Sequence, residues 1–127
     1  MCDGAALHRE DLMPYYLFQW KYKDPAIQAM IEAPQDRPAE LRKAVEAFHG
    51  RMHQFFFSFG EYDGLSIVEF PNNESCAACA VMLTGAGANT SLQTTALLTA
   101  NEGQAAMLRA SSMHSGYRPP VGYSSHG

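Results

Sequence analysis

Apolar side chains recur along this chain with two different periods. From Tyr15 to Tyr22 the run YYLFQWKY puts Tyr16, Phe18, Trp20 and Tyr22 on one face of a strand, and Leu17, Gln19 and Lys21 on the other. A period-2 aromatic stripe of this kind reads as core or interface. Lys23-Asp24-Pro25 ends the strand, with Asp24 placed to cap a helix and Pro25 to open it. Ile27, Met30 and Ile31 then recur at helical spacing. APQDRP interrupts that run, since Pro34 and Pro38 are both hostile to a helix interior. Leu41, Val45 and Phe48 share one face of a second helical run, which Gly50 is expected to close. The two runs read as one bent helical layer.

RMHQFFFSF and YDGLSIVEF follow as strands, joined by a two-residue turn at Gly60-Glu61 of the kind that takes glycine first. Pairing across that turn sets Phe59 opposite Tyr62, Phe57 opposite Gly64, Phe55 opposite Ser66 and His53 opposite Val68 on one face. The other face receives Ser58 opposite Asp63, Phe56 opposite Leu65, Gln54 opposite Ile67 and Met52 opposite Glu69. Pro71 stops the second strand, and NNES supplies side-chain oxygens to start an alanine-rich helix running to Leu83. GAGA breaks it. TSLQTTALLT is the last strand, and a short helix from Asn101-Glu102 to Arg109 precedes a Gly/Ser/Pro-rich tail.

The order β-α-β-β-α-β predicts an α+β fold of the split-βαβ, ferredoxin-like kind: a four-stranded antiparallel sheet with helices on one face. The domain is expected over residues 15–110, between an N-terminal arm (1–14) and a tail (111–127). Both faces of the hairpin are substantially apolar, whereas an antiparallel sheet with one wet face alternates cleanly. Helices cover only one face. A second copy of the chain is the economical cover for the other, which predicts a homodimer with sheets packed face to face.

Charge and composition narrow the partners. With 127 residues and a net charge of −4, the chain suits one domain and offers no basic field for nucleic acid. No stretch approaches the ~18 apolar residues of a membrane span. The opening MCDGAALHREDLMP has neither the basic nor the apolar region of a signal peptide. Three cysteines, Cys2, Cys76 and Cys79, make no disulfide framework, so the expected compartment is the cytoplasm.

YYLFQWKY, FSFGEYDGLSIVEFP, TTALLT and GYRPP, in this order, resemble the GYD-domain proteins, a family of small bacterial proteins without settled function. The namesake motif stands here as Gly60, Tyr62 and Asp63, and the resemblance spans about residues 15–122. It implies the architecture of a dimeric α/β barrel, in which ferredoxin-like subunits pair through their sheets. Barrels of that kind include cofactor-free oxygenases, isomerases, haem-linked enzymes and stress proteins, so the likeness implies a pocket without fixing a reaction. APQDRP replaces the glycine-rich link expected between the helical runs, and Gln93 stands where relatives often show a basic residue.

The residues themselves leave two functions open. One is a dimeric small-molecule-binding or accessory module. The other is a cofactor-free oxygenase- or isomerase-like enzyme using Asp63 in an apolar cavity. Asp63 is either a turn-forming acceptor or a cavity carboxylate near Ser58 and Gln54. Tyr62, Gln19 and Arg118 complete the ligand-binding candidates, with a small apolar or mixed-polarity ligand expected and no cofactor. His49 and His53 have the spacing of helical metal ligands, but Gly50 between them ends the helix and no zinc-type cluster remains. Cys76-Ala77-Ala78-Cys79 follows a strand and opens a helix, which is a redox context, yet it lacks the other features of a redox fold and reads as structural. Tyr117-Arg118-Pro119-Pro120 carries an aromatic anchor and a cation on a stiffened segment, expected to dock on the body or on a partner subunit.

Overall fold

The computed structural model describes residues 13–122, so Cys2, His8, His126 and the ends of both arms lie outside the described residues. The elements are β1 (Tyr15–Tyr22), α1 (Asp24–Glu32), α2 (Arg37–Ala47), β2 (Arg51–Phe57), β3 (Gly64–Glu69), α3 (Asn73–Gly85), β4 (Asn89–Leu97) and α4 (Ala100–Ser112). They build one four-stranded sheet in the order β2-β3-β1-β4, every neighbour antiparallel. This is the ferredoxin-like α+β arrangement. None of the described helices is long and apolar enough to cross a membrane.

The aromatic stripe of β1 is the core. Tyr16, Phe18, Trp20 and Tyr22 are buried together with Val45 of α2, Val68 of β3, Phe70, and Cys76 and Cys79 of α3. α1 adds Ala26, Ile27 and Met30 at the margin. Phe18 is fully buried and Phe70 lies 6.0 Å from it, ring centre to ring centre. Truncating a side chain so placed costs about 3–5 kcal/mol.

Helix ends follow local chemistry, with corrections to the expected boundaries. Lys23 is the N-cap of α1 and caps with no side chain, while Asp24 and Pro25 lie inside the first turn. Pro38 belongs to the first turn of α2, where a missing N–H costs nothing, and Asp36 caps it by accepting from the Ala39 N–H. Asn72 caps α3 through the Ser75 N–H. Thr99 and Glu102 form a reciprocal capping box that starts α4 one residue earlier than expected.

At the end of α2 the left-handed residue is His49 (φ 65°), not Gly50. The Gly50 N–H reaches the Val45 carbonyl and the His49 N–H reaches Glu46, the paired bonds of a Schellman turn. Gly50 serves another need: a Cβ there would stand 2.5 Å from the Glu69 carbonyl and 2.7 Å from the Phe70 ring. Gly64 is equally constrained, since its Cβ would stand 2.5 Å from the Trp20 indole.

The hairpin departs from expectation at both ends. Phe57↔Gly64, Phe56↔Leu65, Phe55↔Ser66 and Gln54↔Ile67 pair as predicted, but Met52 pairs with Val68 and Arg51 with Glu69. The irregularity between Met52 and Gln54 moves His53 out of the ladder. At the tip, Gly60 has no positive φ, which a glycine-first two-residue turn requires. β2 instead stops at Phe57, so Phe59 and Tyr62 do not pair, and the loop beyond is closed by the Ser58 N–H donating to the Asp63 carbonyl at 2.9 Å.

Two substitutions test this account by chemical denaturation. His49→Gly relieves the left-handed backbone and is expected to add about 1 kcal/mol of stability. Gly64→Ala drives a methyl into the indole and is expected to cost about 1–3 kcal/mol.

Candidate functional site

The face of the sheet away from the core carries Leu17, Leu65, Ile67 and Phe56, with Phe56 54% exposed. Gln19 lies on it between Leu65 and Gln93. The Tyr62 hydroxyl donates to the Gln93 side chain. Gln19, Tyr62 and Gln93 therefore come together on this open face, and Gln54 joins it farther along, opposite Ile67. At the far end Tyr15 and Glu69 face each other, and the displaced His53 joins them. His53 Nε2 is 2.6 Å from Glu69 Oε1, and its ring centre is 5.5 Å from that of Tyr15. Glu69 is 3% exposed, and a carboxylate so placed needs such a partner.

Asp63 has a defined structural task. Its carboxylate accepts from the Tyr22 N–H at 2.9 Å and lies 3.5 Å from Lys21 Nζ, while its own N–H donates to the Trp20 carbonyl at 2.8 Å. The Ser58 hydroxyl donates to the Tyr62 carbonyl at 2.8 Å and braces the same loop. The Gly-Glu-Tyr-Asp segment thus clamps the hairpin tip to the end of β1. Arg118 lies apart in the exposed tail, and Tyr117 is 76% exposed, so the tail does not pack on its own body.

A concavity lies on the other side of the sheet. A cleft of about 380 Å³ opens between α2, α3 and the end of β1, within the usual range for small ligands. Leu41, Ala44, Phe55, Leu83 and Leu92 give it apolar walls, and Arg37, Glu40 and Lys43 stand at its rim. Two of the residues around it each hold a buried polar atom without a hydrogen-bond partner, sealed from the cleft: the indole Nε1 of Trp20, seated over Gly64, and the Oδ1 of Asn89. Buried polar atoms are almost always paired, and each exception costs about 1–3 kcal/mol. At the rim, Lys43 Nζ pairs with Glu40 Oε2 at 2.8 Å, and that contact holds the Glu40 carboxyl below its ordinary pKa. Arg37 Nη1 donates to the Gln35 Oε1 at 3.2 Å, and its charge adds a smaller pull on Glu40.

Sequence reasoning missed this cleft. Trp20 was legible as a buried residue, but its unpaired N–H depends on how the ring is turned. Asn89 opens β4, where one polar residue gives no signal of its own.

The thiols are structural. Burial pushes the Cys76 thiol up to about 11 and the Cys79 thiol up to about 12, with neighbouring Cys76 adding to the latter. A redox dithiol needs the opposite shift. No group of three or more metal-ligating side chains occurs among the described residues.

Three solved structures share features of this fold. MtbAldR matches with a TM-score of 0.52 at 13% identity over 78% of this chain, which spans 59% of the length of that one. A nipsnap family protein of unknown function from Agrobacterium tumefaciens gives 0.42 at 17% identity, covering 67% of this chain and 86% of its own. A dimeric ferredoxin-like protein from an uncultured marine organism gives 0.39 at 9% identity, covering 72% and 93%. No curated protein matches. The family model described as GYD domain matches residues 16–107.

Asp63→Ala leaves the Tyr22 N–H without its acceptor and is expected to cost about 1–3 kcal/mol in a urea melt. The Lys21 contact, half in solvent, adds well under about 1 kcal/mol of that. The thiols predict an alkaline limb. Above the ordinary thiol pKa of about 8.5 the unfolded chain releases protons that the folded chain retains. Stability is therefore expected to fall as pH rises through 9 towards 11 and 12. The double variant Cys76→Ala/Cys79→Ala should flatten that limb.

Proposed function

This chain belongs to the GYD-domain family, and we propose that it acts as a homodimeric small-molecule-binding module, each copy holding a ligand in the cleft between helices and sheet. The observation that carries this reading is the cleft itself, about 380 Å³ between α2, α3 and the sheet, with apolar walls and charged side chains at its rim. The alternative, an oxygenase- or isomerase-like use of Asp63, gains no support from a carboxylate already engaged by Tyr22 and Lys21.

Support for the dimer comes from what the chain leaves uncovered. The core draws on α1, α2, α3 and one face of the sheet, while Leu17, Leu65, Ile67 and Phe56 line the other. α4 buries none of its residues, and Met107 and Leu108 on it are 72% and 64% exposed. It follows β4, an edge strand, so it is positioned to reach over a second copy joined through the open face. The exposed Tyr117 and Arg118 extend the same arm.

Sedimentation velocity at micromolar concentration is expected to give a dimer, and Phe56→Asp a folded monomer; a wild-type monomer refutes the dimer. For the cleft, a panel of small apolar fragments is expected to raise the melting temperature of the wild type and to do so less for Trp20→Phe. No response to any fragment would leave an accessory interaction module as the function.

A further inference from the structure

One corner of the open face, where β1 and β2 begin and β3 ends, holds chemistry that the cleft does not use. Glu69 is buried there, and a carboxylate so deep is costly unless it is paired. Its partner is the imidazole of His53, with Nε2 2.6 Å from Oε1. The ladder is broken to bring it: Met52 pairs with Val68 and Gln54 with Ile67, and the shift between them leaves His53 out of register. Regular pairing would set His53 opposite Val68, on the core side. Two costs, a buried carboxylate and a disrupted ladder, meet at one ring. Bulges that re-aim a side chain in this way recur next to active sites. A carboxylate only accepts, so in the neutral ring Nε2 carries the proton and Nδ1 keeps its lone pair. The His53 side chain is 33% exposed, whereas that of Glu69 is 4%. The ring is open on one side and held on the other, the arrangement of a base with its orienting carboxylate. Its neighbours on the same face are apolar or aromatic: the Tyr15 ring at 5.5 Å, then Leu17 and Ile67.

We infer that His53, positioned by Glu69, is a general base for a neutral, largely apolar small molecule that carries an acidic C–H and lies against Tyr15. In the step, Nδ1 takes the proton and the electron pair of the broken bond stays on the substrate. The imidazolium that forms is balanced by the Glu69 carboxylate, and its new proton passes to water from the exposed edge of the ring. No oxidant, reductant or co-reactant is needed. The site is independent of the cleft but rests on the second copy proposed above, since a sheet alone gives the substrate only one wall. Sheets packed face to face stand about 10 Å apart, which supplies the other. His53 lies on the edge strand β2 at a corner of the sheet, so it stands at the rim of such an interface.

Ring opening of nitrobenzisoxazole, a neutral planar probe, tests for such a base. The base removes the ring C–H, a nitrile forms, and the N–O bond breaks to release a coloured phenolate. The wild type, with its oligomeric state measured on the same sample, is expected to turn the probe over with saturation. His53→Gln should lower kcat/KM about a hundredfold, the lower end of what a positioned base contributes. Glu69→Gln should lower kcat about tenfold, the scale of one hydrogen bond to a charged group. It should leave KM unchanged, because Glu69 acts through the ring and not on the probe. Phe56→Asp should abolish saturation by removing the second wall, and His49→Gln, at the end of α2, should change nothing. His53 is on the surface, so its variant keeps the test open if Glu69→Gln fails to fold. No saturable turnover in a dimeric wild type, or turnover that survives His53→Gln, overturns the base and leaves the dimer standing. A wild-type monomer overturns the dimer, and with it the second wall on which this site depends.

Discussion

The indole of Trp20 lies so close over Gly64 that no side chain fits between ring and backbone, and much of the molecule is arranged around that contact. It fixes the register of β1 against β3, since Trp20 and Gly64 are opposite one another in the ladder. It sets where the hairpin can close, because the carbonyl of Trp20 takes the N–H of Asp63 and the Asp63 carboxylate takes the next free N–H, that of Tyr22. The ring also packs on Phe55 at 5.4 Å and Tyr22 at 6.5 Å, forming the floor of the cleft. A large side chain seated on a glycine leaves its polar edge where neighbouring backbone cannot reach it. The unpaired Nε1 follows from that geometry.

The two faces of the sheet carry different burdens. The helix side holds the dense core around Phe18 and Phe70, and thins towards the cleft at the Trp20 end, where α2 and α3 make little contact with each other compared with the sheet. The opposite side is apolar but uncovered, with polar residues in two groups: Gln19, Gln93 and Tyr62 at one end, Tyr15, His53 and Glu69 at the other. The cleft on one face and the uncovered apolar surface on the other draw on different side chains. The hairpin tip links them: Tyr62 reaches over the open face, while the adjacent Asp63 anchors to the strand that floors the cleft.

The sequence by itself determined the sheet and its order, because a period of two in YYLFQWKY and a helical period in the following runs depend only on which side chains neighbour each other along the chain. It pointed to the start of α3 as well, through the NNES run in which Asn72 caps the helix, whereas the Thr99–Glu102 box, one residue ahead of the expected start of α4, went unread. It also placed both cysteines as buried structure. Tertiary contacts decided the rest. Gly60 looked like the turn residue and Gly50 like the cap, but glycine is needed where another group approaches, and the ring and carbonyl that approach Gly64 and Gly50 come from residues distant in sequence. His53 moved to the open face because a bulge shifts every side chain by one, and nothing local marks a bulge. The cleft lay beyond reach for the same reason: Trp20, Arg37 and Asn89 meet only when three elements close around a space, and an unpaired atom is a property of what surrounds it.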